Sequence, residues 1–455
     1  MRSAVIPIRF PFLCVFLFSA PLWAASVVDF GAVPDDGIPD HEAVQKAVDA
    51  GGDVYFPPGR YLFGKTVNVN LDVAGYTSLR GSSGTTIEMA SAGPAIRFNG
   101  SHQGTASPAS VKPNVWEKER MPMVDGLAIT GSHPEASGIE AIQTMQIILT
   151  RLHLRGLHHG IRLAVRNRNV IISNCQVYEN SGVGIYLDQI NLHQINIGDS
   201  HVSYNDEGGI VVRGGNVRNL HIGNCDIEGN MAKDKPATAN VFIDAADGSI
   251  GEVAITGCTI QHTHDAPESA NIRILCGSDW LTKERNVERH HDGNITINGN
   301  VLSDVQFNID IKEARGVAIS GNTLWKGYEN NIRIVSSSRI TLSGNVQDKN
   351  PRYGYGDGDT TKNGVLIQDS ELIQITGELI DGVRGHPAGL VLRNCKAINV
   401  TGCTIHGCEG SGVLIDDCEN IRVSDSIILN PAVKEYSAVR LSKARKVKIS
   451  DNITD

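Results

Sequence analysis

Residues 169–213 read NVIISNCQVYENSGVGIYLDQINLHQINIGDSHVSYNDEGGIVVR, and two short phrases each occur twice in this stretch. The first is glycine followed by an apolar, a variable and an apolar residue, as in GIYL and GIVV. The second phrase is typical of a short strand, a two-residue turn and another short strand, as in NVIISNCQV and INIGDSHV. The first phrase recurs along the chain, with Gly, Asn or once Ala in its first place, and its first apolar residues are Ile139, Ile161, Ile185, Ile210, Val241, Ile272, Ile309, Ile332, Val365, Leu390, Val413 and Val439. Since Ile139 and Ile161 are 22 residues apart, the repeat predicts a solenoid with coils of slightly over 20 residues.

This repeat predicts an all-β fold, namely a single-stranded right-handed parallel β-helix. Alternate residues of each short strand point into and out of the solenoid, so the first and third aliphatic residues fill its interior. Gly or Asn before a strand suits a backbone position with positive φ. Asn240, Asn271, Asn308 and Asn331 hold the same place in consecutive coils. We therefore expect their side-chain amides to hydrogen-bond along the axis.

Residues 1–24 have the composition of a signal peptide. Arg2 and Arg9 give a positive start, residues 10–22 are mainly apolar, and Ala24 and Ala25 offer a cleavage site. No other stretch is long and apolar enough to span a membrane. We therefore expect a secreted or periplasmic protein in which residues 25–455 form one β-helix domain.

The charge and cysteine content narrow the possible partners and cofactors. The chain of 455 residues has a formal net charge of −9 and no basic block, which argues against nucleic acid as a partner. Cys175, Cys225 and Cys258 follow Asn or Gly in similar contexts, so we expect them to be small apolar core residues. The chain has no paired Cys-x-x-Cys zinc motif, phosphate-binding glycine loop or nucleophile elbow. No metal site or nucleotide cofactor is predicted from the residues themselves.

Residues 25–65 are expected to form an amino-terminal cap and the first strands. Asp40 can cap a short helix with Val44, Ala47 and Val48 on its apolar face, ending at the glycine pair of residues 51–52. The order of a DFGA phrase, an acidic loop, this helix and VYFPPGRYL resembles the opening of the pectate-lyase superfamily, which includes rhamnogalacturonases and epimerase-like proteins. The resemblance implies a pectin-lyase-like solenoid and action on acidic or complex glycans.

Outward-facing residues of stacked coils form two columns in which charged residues concentrate in the middle coils. The first column is Arg162, Tyr186, Val211, Phe242, Arg273, Asp310 and Arg333, and the second is Ala164, Asp188, Arg213, Asp244, Leu275, Lys312 and Val335. The coils that carry these charges also contain insertions, around 229–239, 261–270, 276–293 and 345–363. Long loops beside a charged face are typical of the walls of a binding cleft.

Five residues are the candidates for catalysis: Asp188, Asp206, Glu207, Arg213 and His159. Paired carboxylates suit glycoside hydrolysis, because one donates a proton while the other activates water or attacks. The phrases YNDEGGIVV and HHGIRL are similar to the paired-acid and histidine-glycine motifs of polygalacturonases. However, SGV replaces the N-T-D phrase before Gly184, and the histidines precede the acids, which argues against polygalacturonase activity as such.

The residues around them are the candidates for substrate binding, and they are His158, Arg162, Tyr186, Asp244, Arg273, Asp310 and Lys312. Proton abstraction from a uronate, as in lyases and epimerases, needs a base and positive charge beside the resulting anion. Arg213, Arg273 and Lys312 could supply that charge. If the protein is a lyase, Asp188 and Asp244 could hold calcium.

The sequence therefore predicts a secreted carbohydrate-active enzyme that cleaves an acidic or complex polysaccharide, as a glycoside hydrolase or a polysaccharide lyase. One alternative is a non-catalytic β-helix that binds glycan or forms part of the cell surface. Another is a uronate epimerase. Fold-level analogy does not decide among these three classes.

Overall fold

The computed structural model describes residues 25–277, 292–349, 358, 360–430 and 437–455. The predicted signal peptide, residues 1–24, lies outside the described residues, as do parts of the insertions at 276–293 and 345–363. In the described part of the chain, no helix combines the length and the apolar character needed to cross a membrane.

Every strand pairing is parallel, and the strands form three sides of a right-handed parallel β-helix, which confirms the predicted fold. The first side consists of Val67–Asn70, Gly93–Asn99, Ala136–Met145, Ala270–Leu275, Val305–Lys312, Gly327–Val335, Val365–Gln368, Ala388–Arg393, Ser411–Asp416 and Val439–Ser442. The second side consists of Ala25–Ser26, Gly52–Tyr55, Thr77–Arg80, Met123–Asp125, Ile148–Thr150, Gly293–Asn298, Arg315–Ser320, Ser338–Ser343, Glu371–Thr376, Lys396–Thr401, Glu419–Ser424 and Arg445–Ser450. Four long strands continue from the first side onto the second: Ile161–Ser173, Ile185–Gly198, Ile210–Gly223 and Ala239–Thr256.

The third side is a separate sheet of short strands. They are Gly59–Phe63, Thr85–Met89, Ala128–Gly131, His153–Arg155, Gln176–Tyr178, His201–Ser203, Asp226–Glu228, Thr259–Gln261, Val301–Ser303, Thr323–Leu324, Val346–Gln347, Leu379–Asp381, Thr404–His406, Ile427–Leu429 and Ile453–Thr454. Aliphatic residues from all three sides form one continuous core from Val27 to Ile428. The alternation of inward and outward residues therefore follows the pattern expected from the sequence.

An asparagine ladder runs along a corner of the solenoid and is longer than the sequence repeat suggested. Asn240 donates through Nδ2 to Oδ1 of Asn271 at 2.8 Å, Asn271 donates to Asn308 at 2.7 Å, and Asn308 donates to Asn331 at 2.8 Å. The same pattern extends backwards through Asn230, Asn205 and Asn180. The predicted amide ladder is confirmed.

The prediction that the Gly or Asn before each strand has a positive φ is wrong at most of these positions. Among the glycines of the repeat, Gly160, Gly184 and Gly209 do not have positive φ. Their role is to provide space: a Cβ on Gly209 would lie 2.5 Å from the carbonyl oxygen of Asn240 and 2.8 Å from Nδ2 of Asn230. Glycine is therefore required because the ladder amides and the next coil approach the backbone so closely.

The amino-terminal cap contains the predicted helix, His41–Asp49, which buries Val44, Ala47 and Val48 against the first coils. Asp40 occupies the N-cap position, but its side chain does not cap the helix. Its Oδ1 accepts the N–H of Val33 at 2.8 Å and its Oδ2 accepts that of Leu62 at 3.1 Å. The carboxylate thus joins the segment before the helix to a third-side strand instead. The other helical segments are short: Val27–Phe30, Leu71–Ala74, Pro108–Ser110 and Val115–Glu119.

All eight cysteines in the described residues are buried free thiols. Cys175, Cys225 and Cys258 are at most 3% exposed and belong to the continuous core. Their prediction as small core residues is confirmed.

Candidate functional site

The first predicted column exists in full, because consecutive strands of the first side pair in register. Arg162 pairs with Tyr186, Tyr186 with Val211, Val211 with Phe242, Phe242 with Arg273, and Arg273 with Asp310. The second column also follows the prediction, with Asp188, Arg213 and Asp244 on successive coils. These columns lie on one outer face of the solenoid.

The first column also extends toward the amino terminus through two residues that the sequence analysis missed. Glu140 pairs in register with Arg97 on one side and Arg162 on the other. The signal was present, because Glu140 follows Ile139 just as Arg162 follows Ile161. Arg97 Nε lies 2.5 Å from Glu140 Oε1, and Arg162 forms a further ion pair with the same carboxylate. Arg162 Nε and Nη2 lie 2.9 and 2.6 Å from Asp188 Oδ2.

Five of the predicted site residues line one cleft of about 380 Å³ together with Arg97 and Glu140. The five are His158, His159, Arg162, Tyr186 and Asp188. We call this space the histidine cleft. The two imidazole rings are stacked with centroids 3.9 Å apart, and the ring of His159 lies 5.3 Å from that of Tyr186.

The hydrogen bonding of His159 fixes its chemical role. The backbone N–H of Val183 donates to His159 Nδ1 at 3.0 Å, so in the neutral ring Nε2 carries the proton. Burial, and then the adjacent His158, lower the pKa of His159 to about 4. His159 is therefore a neutral hydrogen-bond donor at neutral pH and has no free lone pair with which to act as a general base.

A glycine keeps the cleft open beside these rings. Gly182 lies between His158 and Glu207 on consecutive coils, since its N–H donates to the carbonyl of His158 and its carbonyl accepts the N–H of Glu207. A Cβ on Gly182 would lie 2.6 Å from His159 Nδ1 and 2.8 Å from His158 Cδ2. Any larger residue would push the stacked imidazoles out of place.

Tyr186 connects the two columns. The charges of Asp188 and Arg213 both act on its hydroxyl, and the Arg213 guanidinium lies 6.0 Å from the centre of its ring. Burial, and then the charge of Asp188, raise the pKa of Tyr186. The phenol therefore stays protonated at neutral pH, between a carboxylate and a guanidinium.

The predicted acid pair, Asp206 and Glu207, does not line the histidine cleft. Glu207 Oε1 lies 3.1 Å from Nζ of Lys235, and its charge acts on His159. Burial raises the pKa of Asp206, and the charges of Lys235, Asp234 and Glu207 also act on it. The structure thus places Glu207 at the edge of the cleft and Asp206 farther from it, and their catalytic roles stay predictions.

A second cavity of about 450 Å³ lies farther along the same face, lined in part by Arg273, Asp310, Lys312 and Arg333. Arg273 Nε lies 2.8 Å from Asp310 Oδ2, and Arg333 Nε lies 2.7 Å from Asp310 Oδ1. The side chains of Arg273 and Asp310 are only 6% and 5% exposed. The opposite charges of these two predicted binding residues compensate each other in an ion pair, whereas Lys312 is exposed.

An apolar stretch of the same column lies between the polar groups of the two cavities, and Phe242 at its end also lines the second cavity. Val211 and Phe242 point outward from their strands, yet they are 0% and 6% exposed. They form a cluster outside the solenoid with Val183, Ala239 and Phe307. The predicted continuous charged face is thus two polar cavities joined by a covered apolar segment.

The structure does not favour calcium at Asp188 and Asp244. Arg213 lies between them in register, so its positive charge occupies the position that a shared cation would need. Asp244 lines neither cavity, and its Oδ1 accepts the N–H of Ala246 at 3.1 Å. Within the described ranges, His, Cys, Asp and Glu side chains form no group of three suited to a metal ion.

A parallel β-helix with a polar cleft on its outer face defines the class of this protein, and family comparison refines it. Residues 123–260 and 359–455, more than half of the chain, match the family described as the right-handed beta helix region. The chain therefore belongs to the right-handed β-helix family. Residues 24–100 match the family described as rhamnogalacturonase A/epimerase, pectate lyase-like, which confirms the resemblance of the amino-terminal part.

Solved structures share the fold at low sequence identity. A mutant tailspike protein of E. coli bacteriophage HK620, in complex with pentasaccharide, is 11% identical with a TM-score of 0.55 over 94% of this chain and 80% of that one. Tailspike protein 3 of bacteriophage CBA120 is 13% identical with a TM-score of 0.44, and the match covers 95% of this chain but only 58% of that one. The A-module of the Azotobacter vinelandii mannuronan C-5 epimerase AlgE6 is 12% identical with a TM-score of 0.42, over 95% and 99% of the two chains. No curated protein sequence matches the chain.

Proposed function

We propose that the protein is a carbohydrate-active enzyme that cleaves an acidic or complex polysaccharide at the histidine cleft. The observation that carries the proposal is the position of Tyr186, which lines the same cleft as two stacked histidines and has its hydroxyl under the charges of Asp188 and Arg213. The cleft opens on a face where successive coils are about 4.8 Å apart, similar to the length of one sugar unit. A polysaccharide chain that lies extended along the solenoid axis would therefore place one sugar unit against each coil.

The proposed chemistry assigns proton transfer to Tyr186. Its raised pKa keeps the phenol protonated, so it can donate a proton to the oxygen of the leaving sugar as the glycosidic bond breaks. In hydrolysis, the oxygen of a water molecule bonds to the anomeric carbon, and the proton that this water releases restores the phenol. Arg213 stabilises the phenolate that this transfer creates, and the charge of Asp188 favours return of the proton to the phenolate. His159 donates a hydrogen bond through Nε2 to a sugar hydroxyl or carboxylate, and Arg162 holds Asp188 in place.

The competing function is non-catalytic glycan binding, and one observation favours it. The charged groups in the first column are largely paired with each other, from Arg97 through Glu140 and Arg162 to Asp188. Such a network of ion pairs stabilises a rigid surface and leaves fewer unpaired charged side chains that could take part in catalysis. Tyr186 and Arg213 are the residues to which the proposed cleavage assigns proton transfer, and pure binding would not require them to act in this way.

Product analysis on a panel of uronic-acid and neutral polysaccharides separates the possibilities. New reducing ends without ultraviolet absorbance indicate a hydrolase, and an unsaturated uronate indicates a lyase. An altered uronate without cleavage indicates an epimerase, and binding without any change indicates a glycan-binding protein. Either of the last two results contradicts the proposed cleavage.

Variants test the role of the tyrosine. We expect Tyr186→Phe to lower kcat by a factor on the order of 100 or more, because it removes the proton donor but keeps the ring. Arg213→Ala should also lower kcat. Arg393→Ala is the matched control and should keep the kcat of the parent, because Arg393 is an exposed arginine several coils farther along the column that contains Arg213. Equal activity of Tyr186→Phe and the parent protein would exclude this mechanism.

We also propose that the protein is exported, with residues 1–24 removed and residues 25–455 forming the mature β-helix domain. The support is the sequence of the first residues and the polymeric substrate proposed above, which is more readily reached outside the cytoplasm. This proposal makes the site of action periplasmic or extracellular.

A further inference from the structure

Two pairs of buried thiols lie on adjacent coils of the solenoid. Cys395 and Cys418 hold the same place in consecutive coils, because the strand pairing is in register immediately before and immediately after them. Cys225 and Cys258 are matched in the same way. We call Cys395 and Cys418 the carboxyl-terminal pair and Cys225 and Cys258 the central pair. All four thiols are free and at most 3% exposed.

In each pair, the backbone of one cysteine contacts the sulfur of the other. The N–H of Cys395 donates to Sγ of Cys418 at 3.3 Å, and the N–H of Cys225 donates to Sγ of Cys258 at 3.5 Å. Neighbouring parallel strands are about 4.8 Å apart, and the Cα atoms of a disulfide are usually about 4.4–6.8 Å apart. The coil spacing therefore already meets the backbone requirement for a disulfide, and side-chain rotation can bring the sulfurs together.

The hydrogen bond alone does not require a second cysteine. The N–H of Cys175 donates to Ser200 Oγ at 3.0 Å, and the N–H of Cys403 donates to Ser426 Oγ at 3.1 Å. A serine hydroxyl thus accepts the corresponding bond from a cysteine in other coils, and it is a stronger acceptor than a thiol. The two places where cysteine follows cysteine therefore point to chemistry between the sulfurs.

The contact also prepares one thiol of each pair to react. Cys395 lowers the pKa of Cys418, and Cys225 lowers that of Cys258, in each case more strongly than burial raises it. Conversely, Cys418 and then burial raise the pKa of Cys395. One thiol of a pair thus keeps its proton and stabilises the thiolate of the other, and the thiolate is the form that attacks a disulfide.

We propose that Cys395 and Cys418 form a disulfide between adjacent coils in the presence of a disulfide oxidant such as glutathione disulfide, and that Cys225 and Cys258 do the same. The Cys418 thiolate attacks the oxidant, forms a mixed disulfide and releases one thiol. The Cys395 sulfur then attacks Cys418 Sγ and releases the second thiol. The pair loses two electrons and two protons, and the S–S bond of the oxidant is reduced to two thiols. This reaction is independent of the cleavage and the export proposed above.

Burial decides when these disulfides can form. The oxidant reaches the sulfurs only while the coils are apart, which happens during folding or local opening. Refolding therefore gives the oxidant access to both pairs. The carboxyl-terminal pair lies closer to the end of the solenoid, so oxidant added to the folded protein should join this pair before the central pair.

The test is refolding of the full chain from urea in a glutathione buffer, with protein refolded under fully reducing conditions as the reference. After free thiols are blocked by alkylation, the protein is digested without reductant and linked peptides are identified by mass spectrometry. We expect peptides that join the two cysteines within each pair. Cys175 and Cys403, whose neighbours are serines, should stay reduced. The proposal is overturned if the linked peptides are absent, or if Cys175 and Cys403 are linked as often as the paired cysteines.

Variants separate a specific disulfide from chance oxidation. Cys418→Ser keeps an acceptor for the N–H of Cys395 but removes one sulfur, so its oxidised form should lack the carboxyl-terminal linkage. Cys403→Ser is the matched control, because it removes a nearby buried thiol and leaves both pairs intact.

The carboxyl-terminal linkage would enclose Cys408 in its loop, which gives a second readout. Oxidation of the parent should slow the alkylation of Cys408 in urea below the unfolding transition by roughly tenfold or more, because the linked coils open less often. Oxidation should slow it equally in Cys403→Ser and leave it unchanged in Cys418→Ser. Equal slowing in the parent and Cys418→Ser, or no slowing in the parent, contradicts the assignment.

Discussion

Glu378 carries a carboxyl group in the interior of the solenoid, at the end of a second run of stacked asparagines that consists of Asn300, Asn322 and Asn345. It is 1% exposed. Its Oε1 accepts the N–H of Asn345 at 3.1 Å and Asn345 Nδ2 at 2.8 Å, and its Oε2 accepts Gln347 Nε2 at 3.4 Å. Burial outweighs these hydrogen bonds and raises the pKa of Glu378 to about 7. One side chain therefore couples the stability of the core to pH in the neutral range.

Glu378→Gln should remove this dependence. Because the folded pKa lies above the ordinary value of 4.5, the folded protein binds the proton more tightly than the unfolded chain does. The stabilisation is complete below pH 4.5 and is lost as the pH rises through about 7, to a total of roughly 3 kcal/mol. The glutamine keeps the acceptor for Asn345 and cannot ionise, so the variant should exceed the parent in the free energy of unfolding at pH 8.5 and match it near pH 4.5.

Urea unfolding followed by circular dichroism at the two pH values measures this difference. Glu371→Gln, at an exposed glutamate of a neighbouring strand, is the control and should leave the pH profile of the parent unchanged. A constant difference between Glu378→Gln and the parent at all pH values would contradict the linkage.

At the level of elements, the long asparagine ladder has a direction. From Asn180 onward, each Nδ2 donates to the Oδ1 of the next asparagine toward the carboxyl terminus. Asn271 also donates to the carbonyl of Ser303 at 2.9 Å, so both of its amide hydrogens are used. Asn331 ends the ladder: its Oδ1 accepts from Asn308, and its buried Nδ2 has no partner among the described residues.

This direction predicts different costs for the same substitution at two positions. Asn271→Asp replaces an amide that donates two hydrogen bonds with an oxygen, which then faces the carbonyl oxygen of Ser303 and Oδ1 of Asn308. Asn331→Asp replaces an amide nitrogen that donates no hydrogen bond among the described residues. Both variants bury a carboxylate, but Asn271→Asp should lose about 2 kcal/mol more in the free energy of unfolding, because two donated hydrogen bonds are lost. Thermal and urea unfolding at pH 7 give the comparison. Equal losses would mean that the ladder has no energetic direction.

The repeat predicted both outward columns in the correct register, because a side-chain period of two and a fixed phrase before each strand leave no freedom in the pairing. It did not predict that Val211 and Phe242 are covered, because that depends on the path of inserted segments, which have no repeat. Nor did it predict that Arg168 is buried, since its phrase RNRN follows a corner where a one-residue register shift changes which side chains align.

At the scale of the whole molecule, the two ends of the described solenoid differ. The helix His41–Asp49 covers the first coils with residues that are fully buried. In the last described coil, Leu441, Ile449 and Ile453 are 49%, 44% and 63% exposed. Because each coil of a solenoid contacts mainly its neighbours, stability is expected to be lower near the exposed end.

The buried thiols report which end opens first. Cys175 and Cys408 are both 0% exposed, and burial raises the pKa of Cys175 to about 11 and of Cys408 to about 12, so neither reacts as a thiolate in the folded protein at pH 8. In urea below the main unfolding transition, Cys408 should be alkylated before Cys175, because its coil lies near the exposed end. Mass spectrometry of peptides after timed labelling measures the two rates, and full labelling in concentrated denaturant gives the reference. If both cysteines react at one rate across the urea range, the solenoid unfolds as a single cooperative unit and the difference between its ends has no effect on stability.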